Sequence, residues 1–293
     1  MNQKTLKQSC EIRGKGLHSG KEAHITLLPA PANHGIVFRL SQQGRQLDIP
    51  ASADCVTRTM LSTNLGRDGL EVRTVEHLMS ALTGMEIDNA MVVVDGCEVP
   101  VMDGSAEPFA RHIQQAGIKT QSAPRRYLRV LEPLELIEND KKAGLYPSAT
   151  PVYSFHIDFT HPAIQIQSHS IALTPKTFMD QVARARTFGF EEDLHNLQNQ
   201  GLALGAGLDN AVALGRDGTV LNQDGLRYPD EFVRHKLLDA IGDLALGGMA
   251  LLAEYRGVKS GHALNLKLIQ TLAAQPEKWE IVTPMGFPQS QAG

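Results

Sequence analysis

Cysteine, long apolar runs and excess positive charge are all scarce in this chain of 293 residues. The three cysteines, Cys10, Cys55 and Cys97, are far apart and form no CxxC pair, so we expect reduced thiols. No segment approaches the roughly 20 apolar residues of a membrane-spanning helix, and residues 1–10 lack the apolar stretch of a secretory signal. With 28 basic against 32 acidic residues, the chain has no charge excess suited to nucleic acid. We therefore expect a soluble, cytoplasmic protein that does not bind nucleic acid.

Apolar periodicity predicts a helix followed by a strand in the first half of the chain. Hydrophobic residues make up 42% of the sequence, enough for a substantial core in one or two domains. The predicted elements are strands at 23–28 and 36–40, a helix at 74–84 and a strand at 89–94. Thr74 is the predicted helix cap and Gly84 the predicted stop.

The second half repeats this order. A helix is predicted at 231–246 and a strand at 249–253. Val75, His77 and Gly84 match Val233, His235 and Gly242 at a constant offset of 158 residues. This pattern favours an α+β protein with two related domains, 1–122 and 123–293, each with helices packed on a sheet. Short apolar helices also resemble one another by chance, so two unrelated segments remain an alternative.

Helical spacing predicts a metal site. His235 and Asp239 are four residues apart, so both side chains project from one face of the helix. A catalytic zinc ion takes three protein ligands and keeps one position for water, and His77 is the candidate third ligand. Glu76 beside it is a candidate base for that water. The alternative is an ordinary surface ion pair between His235 and Asp239.

Six motifs, in this order, resemble the UDP-3-O-acyl-N-acetylglucosamine deacetylase family. They are GLHSG at 16–20, TVEHL at 74–78, DGSA at 103–106, ARTFGF at 185–190, FVRHKLLD at 232–239 and SGH at 260–262. The resemblance implies two similar βααβ domains with the active site between them. It also implies the committed step of lipid A synthesis, removal of acetyl from UDP-3-O-(3-hydroxyacyl)-N-acetylglucosamine.

The resemblance implies a role for each matching site residue. It makes His77, His235 and Asp239 ligands of Zn²⁺, with Fe²⁺ as the alternative in the cell. Glu76 matches the general base and His262 the general acid, whose carboxylate partner is Asp243. Thr187 matches the donor that stabilises the oxyanion together with the metal. Taken alone, Thr187, His262 and Asp243 have ordinary structural interpretations as capping, turn and helix-surface residues.

The resemblance also implies contacts to a UDP-linked, acylated glucosamine substrate. It predicts polar contacts from Lys236 and Lys259, stacking of Phe159 on uracil, and a further substrate contact from Phe188. An insertion at about 184–213 is predicted to form an acyl passage. Its predicted lining residues are Leu194, Leu197, Ala203 and Leu208. Gly207 stands where the family commonly has serine, so no hydroxyl role transfers and the passage geometry is expected to differ.

Two other interpretations remain open from the sequence. One is a catalytically silent module that binds the sugar nucleotide, although Glu76 and His262 argue against it. The other is a different metal-dependent hydrolase such as a peptidase, although the HExxH motif is absent. We expect a monomer.

Overall fold

The computed structural model describes residues 1–42 and 44–283. The strands up to residue 124 are β1 (Asn2–Leu6), β2 (Cys10–Lys15), β3 (Glu22–Pro29), β4 (Ile36–Gln42), β5 (Arg45–Pro50), β6 (Val56–Arg58), β7 (Asn64–Arg67), β8 (Leu70–Val72), β9 (Ala90–Asp95) and β10 (Ile118–Pro124). The helices of this half are α1 (Glu76–Gly84) and α2 (Glu107–Ala116).

The second half has a similar content. Its strands are β11 (Tyr127–Val130), β12 (Leu134–Glu138), β13 (Lys141–Pro147), β14 (Val152–Asp158), β15 (Ile166–Ala172), β16 (Phe188–Phe190), β17 (Val212–Leu214), β18 (Ala250–Val258) and β19 (Trp279–Val282). Its helices are α3 (Pro175–Gln181), α4 (Glu191–Asn199), α5 (Glu231–Leu244) and α6 (His262–Ala273).

The two halves contain the same five-stranded arrangement. The first sheet has the order β2-β3-β9-β4-β5, and the second has β12-β13-β18-β14-β15. In each sheet the third and fourth strands pair in parallel, whereas the other neighbours pair antiparallel. The second sheet is extended by β11 and β19 beside the start of β18. The predicted α+β fold with two similar units is confirmed.

Helices α1 and α5 bring the two units together. They pack directly against each other, and α5 also lies against β14 and β15. Eight of the nine residues of α1 are buried, as are twelve of the fourteen of α5, so both helices belong to the core. At the contact, a Cβ atom on Gly242 would lie only 2.1 Å from the Glu76 carbonyl oxygen. Gly242 therefore permits the close approach of the two helices.

Element ends differ from the predictions in ways that have local causes. Thr74 is not the cap of α1: its φ is +58°, its hydroxyl donates to Glu98, and the helix begins at Glu76. The end of α1 at Gly84 is confirmed. Helix α5 ends at Leu244, because a 3-10 turn occupies Ala245–Gly247.

Strand β18 runs well beyond the predicted end at residue 253, because it continues pairing with β13 and β14 to Val258. The predicted domain division between residues 122 and 123 falls within β10 and stays a prediction. Across residues 1–42 and 44–283, none of the helices is both long enough and apolar enough to cross a membrane.

Candidate metal and acid–base site

Three buried side chains from α1 and α5 converge on one point. His77 is the second residue of α1, and His235 and Asp239 lie one turn apart on α5. Asp239 Oδ1 lies 3.3 Å from His235 Nε2 and 3.6 Å from His77 Nε2. The two imidazole rings are nearly perpendicular, with centroids 5.0 Å apart. The structure thus brings together the three residues predicted as metal ligands.

The donor set of this cluster fits a divalent cation. Two ligand atoms held at about 2.0–2.1 Å by a tetrahedral ion lie roughly 3.3 Å apart, close to the separations in the cluster. Asp239 Oδ1 is buried and has no hydrogen-bond donor in good geometry among the described residues. A buried carboxylate oxygen without a partner is costly, and a cation would satisfy it. Imidazole and carboxylate donors suit Zn²⁺ and Fe²⁺ alike.

The orientation of His235 is set by the backbone of a neighbouring segment. His235 Nδ1 lies 3.1 Å from the Ala185 carbonyl oxygen, to which it donates, and this leaves Nε2 as the ligand atom. Phe188 packs edge-on against the ring, with centroids 6.2 Å apart. Burial lowers the pKa of His235 to about 3, despite the opposing charge of Asp239. The imidazole is therefore neutral, as metal binding requires.

Asp239 divides its two oxygen atoms between the cluster and Lys236. Oδ2 accepts a hydrogen bond of 2.7 Å from Lys236 Nζ, while Oδ1 faces the two imidazoles. Burial would raise the pKa of Asp239, but His235 and the Lys236 ammonium hold it well below its usual range. The ammonium also lies 5.6 Å from the centre of the Phe188 ring. Lys236 therefore lies beside the cluster and keeps Asp239 ionised.

Glu76 occupies the first turn of α1, directly before His77. Its side chain is buried, and Oε2 accepts a hydrogen bond of 2.9 Å from the Thr63 backbone N–H. Burial raises the pKa of Glu76, although the charges of His262 and His77 oppose this shift. A carboxylate with a raised pKa is a stronger base, so this environment suits general base catalysis.

The half-buried His262 and the buried Asp243 form an ion pair that Thr63 connects to Glu76. His262 is the first residue of α6, and its Nδ1 donates to Asp243 at 2.9 and 3.0 Å. Asp243 also accepts from Thr63 Oγ1 at 2.7 Å and from Asn265 Nδ2 at 2.9 Å. Burial would lower the pKa of His262, but the charge and hydrogen bond of Asp243 raise it to about 9. His262 is thus an imidazolium near neutral pH and can donate a proton from Nε2.

Thr187 lies on the same segment as the carbonyl that orients His235. Its backbone N–H donates to the Gly104 carbonyl, and its carbonyl accepts from the Val212 N–H, both at 2.8 Å. The residue before it, Arg186, forms a buried ion pair of 2.8 Å with Glu231 at the start of α5. The segment is therefore fixed from both sides, and the half-buried Thr187 lies in sequence between Ala185 and Phe188, both of which contact His235.

Aromatic rings connect the predicted uracil contact to the cluster. The Phe159 ring lies 5.9 Å from Phe188 and 6.3 Å from Phe190 between centroids. Lys259 Nζ lies 2.9 Å from Asp158 Oδ2 and 3.1 Å from Asp140 Oδ2. The positive charge of Lys259 is thus already paired with the carboxylates of Asp158 and Asp140. The substrate roles of Phe159, Phe188 and Lys259 stay predictions.

The four predicted acyl contacts differ in exposure. Leu194 and Leu197 are half-buried on α4, Ala203 is 8% exposed and Leu208 is 54% exposed. The insertion is attached to the GLHSG turn, because the Leu204 N–H donates to the His18 carbonyl and the Gly205 N–H to the Leu17 carbonyl. The Gly207 N–H donates to Asn210 Oδ1 at 2.9 Å. The lining roles of the four residues stay predictions.

Several residues that shape the site were not singled out from the sequence. Asn265 follows His262 by one helical turn, a spacing that could have indicated a shared partner. Glu231 is fully buried at the start of α5, and Glu98 accepts the backbone N–H groups of His18 and Ser19. Thr63 lies in an irregular segment between β6 and β7, where no periodic pattern marks it.

Comparison with known proteins identifies the family of this chain. Residues 3–274 match the family model described as UDP-3-O-acyl N-acetylglycosamine deacetylase. A UDP-3-O-acyl-N-acetylglucosamine deacetylase of Myxococcus xanthus is 48% identical over 281 residues, which cover 96% of this chain and 89% of the relative. The protein of the same name from Chromohalobacter salexigens is 50% identical over 285 residues, covering 97% and 94%. The chain therefore belongs to the UDP-3-O-acyl N-acetylglycosamine deacetylase family.

Proposed function

We propose that this chain is a metal-dependent amide hydrolase that removes acetyl from UDP-3-O-(3-hydroxyacyl)-N-acetylglucosamine, the committed step of lipid A biosynthesis. The observation that carries the proposal is the buried cluster of His77, His235 and Asp239, with Glu76 directly before His77 and linked through Thr63 to the His262–Asp243 pair. The names of the relatives support the choice of substrate.

The acid–base groups of the site suit amide hydrolysis. A Zn²⁺ ion held by the cluster would supply a Lewis acid that polarises the acetamide carbonyl and acidifies water. Glu76 takes a proton from the attacking water, whose oxygen forms a bond to the carbonyl carbon. The Thr187 hydroxyl donates to the developing oxyanion. His262 gives its Nε2 proton to the nitrogen as the C–N bond breaks, which yields acetate and the free amine.

The remaining parts of the substrate call for polar and apolar contacts. Lys236 and Lys259 are proposed to contact its polar portion, and Phe159 and Phe188 supply aromatic surface near the cluster. The acyl chain is proposed to lie along the insertion, over Leu194, Leu197, Ala203 and Leu208. Each methylene buried there contributes about 0.8 kcal/mol, so a passage of fixed length discriminates between acyl chains.

Metal removal and restoration test the proposal. We expect the purified protein to contain about one equivalent of Zn²⁺ or, when prepared without oxygen, Fe²⁺. A chelator should abolish release of acetate, and added Zn²⁺ should restore it. His77→Ala should lose the metal, whereas His112→Ala, on the outer helix α2, should keep both metal and activity.

Three results would contradict the proposal. Metal binding without deacetylation would favour the silent binding module, and cleavage of peptides in place of the sugar nucleotide would favour a peptidase. Full activity of His77→Ala would show that hydrolysis does not need a metal bound at this cluster.

The proposal includes a cytoplasmic location and a monomeric state. The three cysteines are free in the structure, which supports a reducing compartment. Fractionation of cells and sedimentation of the purified protein test these two points. Recovery of the protein outside the cytoplasm, or as a stable dimer, would contradict them.

A further inference from the structure

Thr63 contacts both acid–base groups of the site. It lies in the segment between β6 and β7 and is 1% exposed. Its backbone N–H donates to Glu76 Oε2 at 2.9 Å, and its hydroxyl donates to Asp243 Oδ1 at 2.7 Å. Its carbonyl accepts from the Val75 N–H at 3.0 Å, just before α1 begins. All three polar groups of this residue are therefore used at the site.

These hydrogen bonds cross between the two related units. Glu76 belongs to α1 of the first unit, whereas Asp243 belongs to α5 of the second. The other two donors to Asp243, His262 and Asn265, both lie on α6 of the second unit. Thr63 is thus the donor through which the first unit holds the carboxylate that orients His262.

The carboxylate of Asp243 has little freedom to move. Oδ1 accepts from Thr63 and His262, and Oδ2 accepts from Asn265 and His262. Asn265 is itself held, because its Oδ1 accepts from the Tyr255 hydroxyl at 2.7 Å. Loss of the Thr63 hydroxyl would leave one buried carboxylate oxygen with a single donor and would free Asp243 to rotate toward α6.

We propose that Thr63 is a positioning residue that fixes the distance between the base Glu76 and the acid His262. This inference rests on the proposed function. Glu76 deprotonates the water that attacks the carbonyl carbon, and His262 protonates the nitrogen of the same amide, so both groups must be placed correctly around one bond. Small misplacement of reacting groups lowers the rate steeply. The backbone N–H of Thr63 holds the Glu76 carboxylate. The Thr63 hydroxyl holds Asp243, which in turn orients His262.

Three substitutions at Thr63 separate its hydroxyl from its backbone. Thr63→Val has the same shape without the hydroxyl, Thr63→Ala removes the whole side chain beyond Cβ, and Thr63→Ser keeps the hydroxyl. We expect kcat of the valine and alanine variants to fall about tenfold to a hundredfold, with KM changed less than about threefold. We expect the serine variant to remain within about threefold of the unchanged protein.

Thr5→Val is the matched control. Thr5 is also buried, at 3% exposure, and its hydroxyl accepts one hydrogen bond from the Ala30 N–H, away from the site. We expect the Thr5→Val variant to lose about as much thermal stability as Thr63→Val and to keep an unchanged kcat. Zinc content should be the same in all variants, because none of these residues is a proposed ligand.

Crystal structures of Thr63→Val and the unchanged protein supply a readout that is independent of activity. We expect the separation between Glu76 and His262 to change in the variant. An unchanged separation, an unchanged kcat, or a serine variant as slow as the valine variant would overturn the positioning role. Lack of deacetylation by the unchanged protein would instead overturn the proposed function, and the crystallographic comparison would still decide the role of Thr63.

Discussion

The two related units use equivalent helices for different purposes. At the constant offset of 158 residues, His77 of α1 corresponds to His235 of α5, and both point into the metal cluster. The other site positions do not correspond. Asp239 has the buried Ala81 as its counterpart. The common fold therefore accounts for one histidine from each unit, whereas the other site residues differ between the units.

The position of the proposed base shows this difference most clearly. The counterpart of Glu76 is Arg234, which is turned away from the cluster into structural contacts. Its guanidinium bonds Asp230 at 2.6 Å and lies 4.5 Å from the centre of the Tyr228 ring. One helix of the pair thus carries the proposed base, whereas the other carries the proposed additional carboxylate ligand.

The largest expected effect compares Glu76 with its counterpart Arg234. Glu76→Ala should retain zinc but lower kcat by about 10² to 10⁴, because no other carboxylate takes the proton from water. Arg234→Ala should cost stability and leave kcat within about threefold, because its contacts are structural. Steady-state kinetics and metal analysis measure both outcomes. Similar losses of kcat in the two variants would mean that α1 and α5 contribute equally to catalysis.

The next effect concerns Asp239, the proposed carboxylate ligand on α5, whose counterpart on α1 is Ala81. Asp239→Asn should weaken zinc binding by at least about a hundredfold, since changes in groups that merely support ligands already cost 10 to 100-fold. Ala81→Ser, at the equivalent position of α1, should not alter zinc affinity. Competition with a chromophoric chelator measures both affinities without an activity assay. Unchanged affinity of Asp239→Asn would remove Asp239 from the ligand set.

The equivalent glycines Gly84 and Gly242 sharpen the comparison further. A Cβ on Gly242 would lie 2.1 Å from the Glu76 carbonyl oxygen, whereas one on Gly84 would lie 2.3 Å from the Phe178 ring. Both alanine variants should lose about 1–3 kcal/mol of stability through overpacking. Only Gly242→Ala should also lower kcat, by about tenfold to a hundredfold, because it displaces Glu76. Thermal unfolding and kinetics separate the two effects, and equal kcat values would contradict this account.

The helices and strands that carry the site could be predicted from the sequence, because the spacing of apolar residues indicates which face of an element is buried. Alternation predicted β3, and helical spacing predicted α1 and α5 with His235 and Asp239 on one face. Thr74 was wrongly predicted as a cap because local propensity does not reveal a distant partner. Its hydroxyl bonds Glu98, which is 24 residues away.

The contacts made by irregular segments of the site could not be predicted from sequence periodicity. The hydroxyl of Thr63 reaches Asp243 across 180 residues of sequence, and no local pattern encodes that contact. The Ala185 carbonyl that orients His235 is a backbone group, so its side chain carries no signal of its role. The roles of His262 and Thr187 came only from the family resemblance and stay predictions.

The smallest expected effect concerns Asp243, whose counterpart at the offset of 158 residues is the buried Met85, directly after α1. Asp243→Asn removes the charge that raises the pKa of His262, while the burial that lowers it remains. His262 acts as an acid only when protonated, so the basic limb of the kcat profile should move to lower pH. Above neutrality kcat should fall about tenfold. Met85→Leu should leave the profile unchanged, and a basic limb that stays in place in Asp243→Asn would show that His262 is not the proton donor.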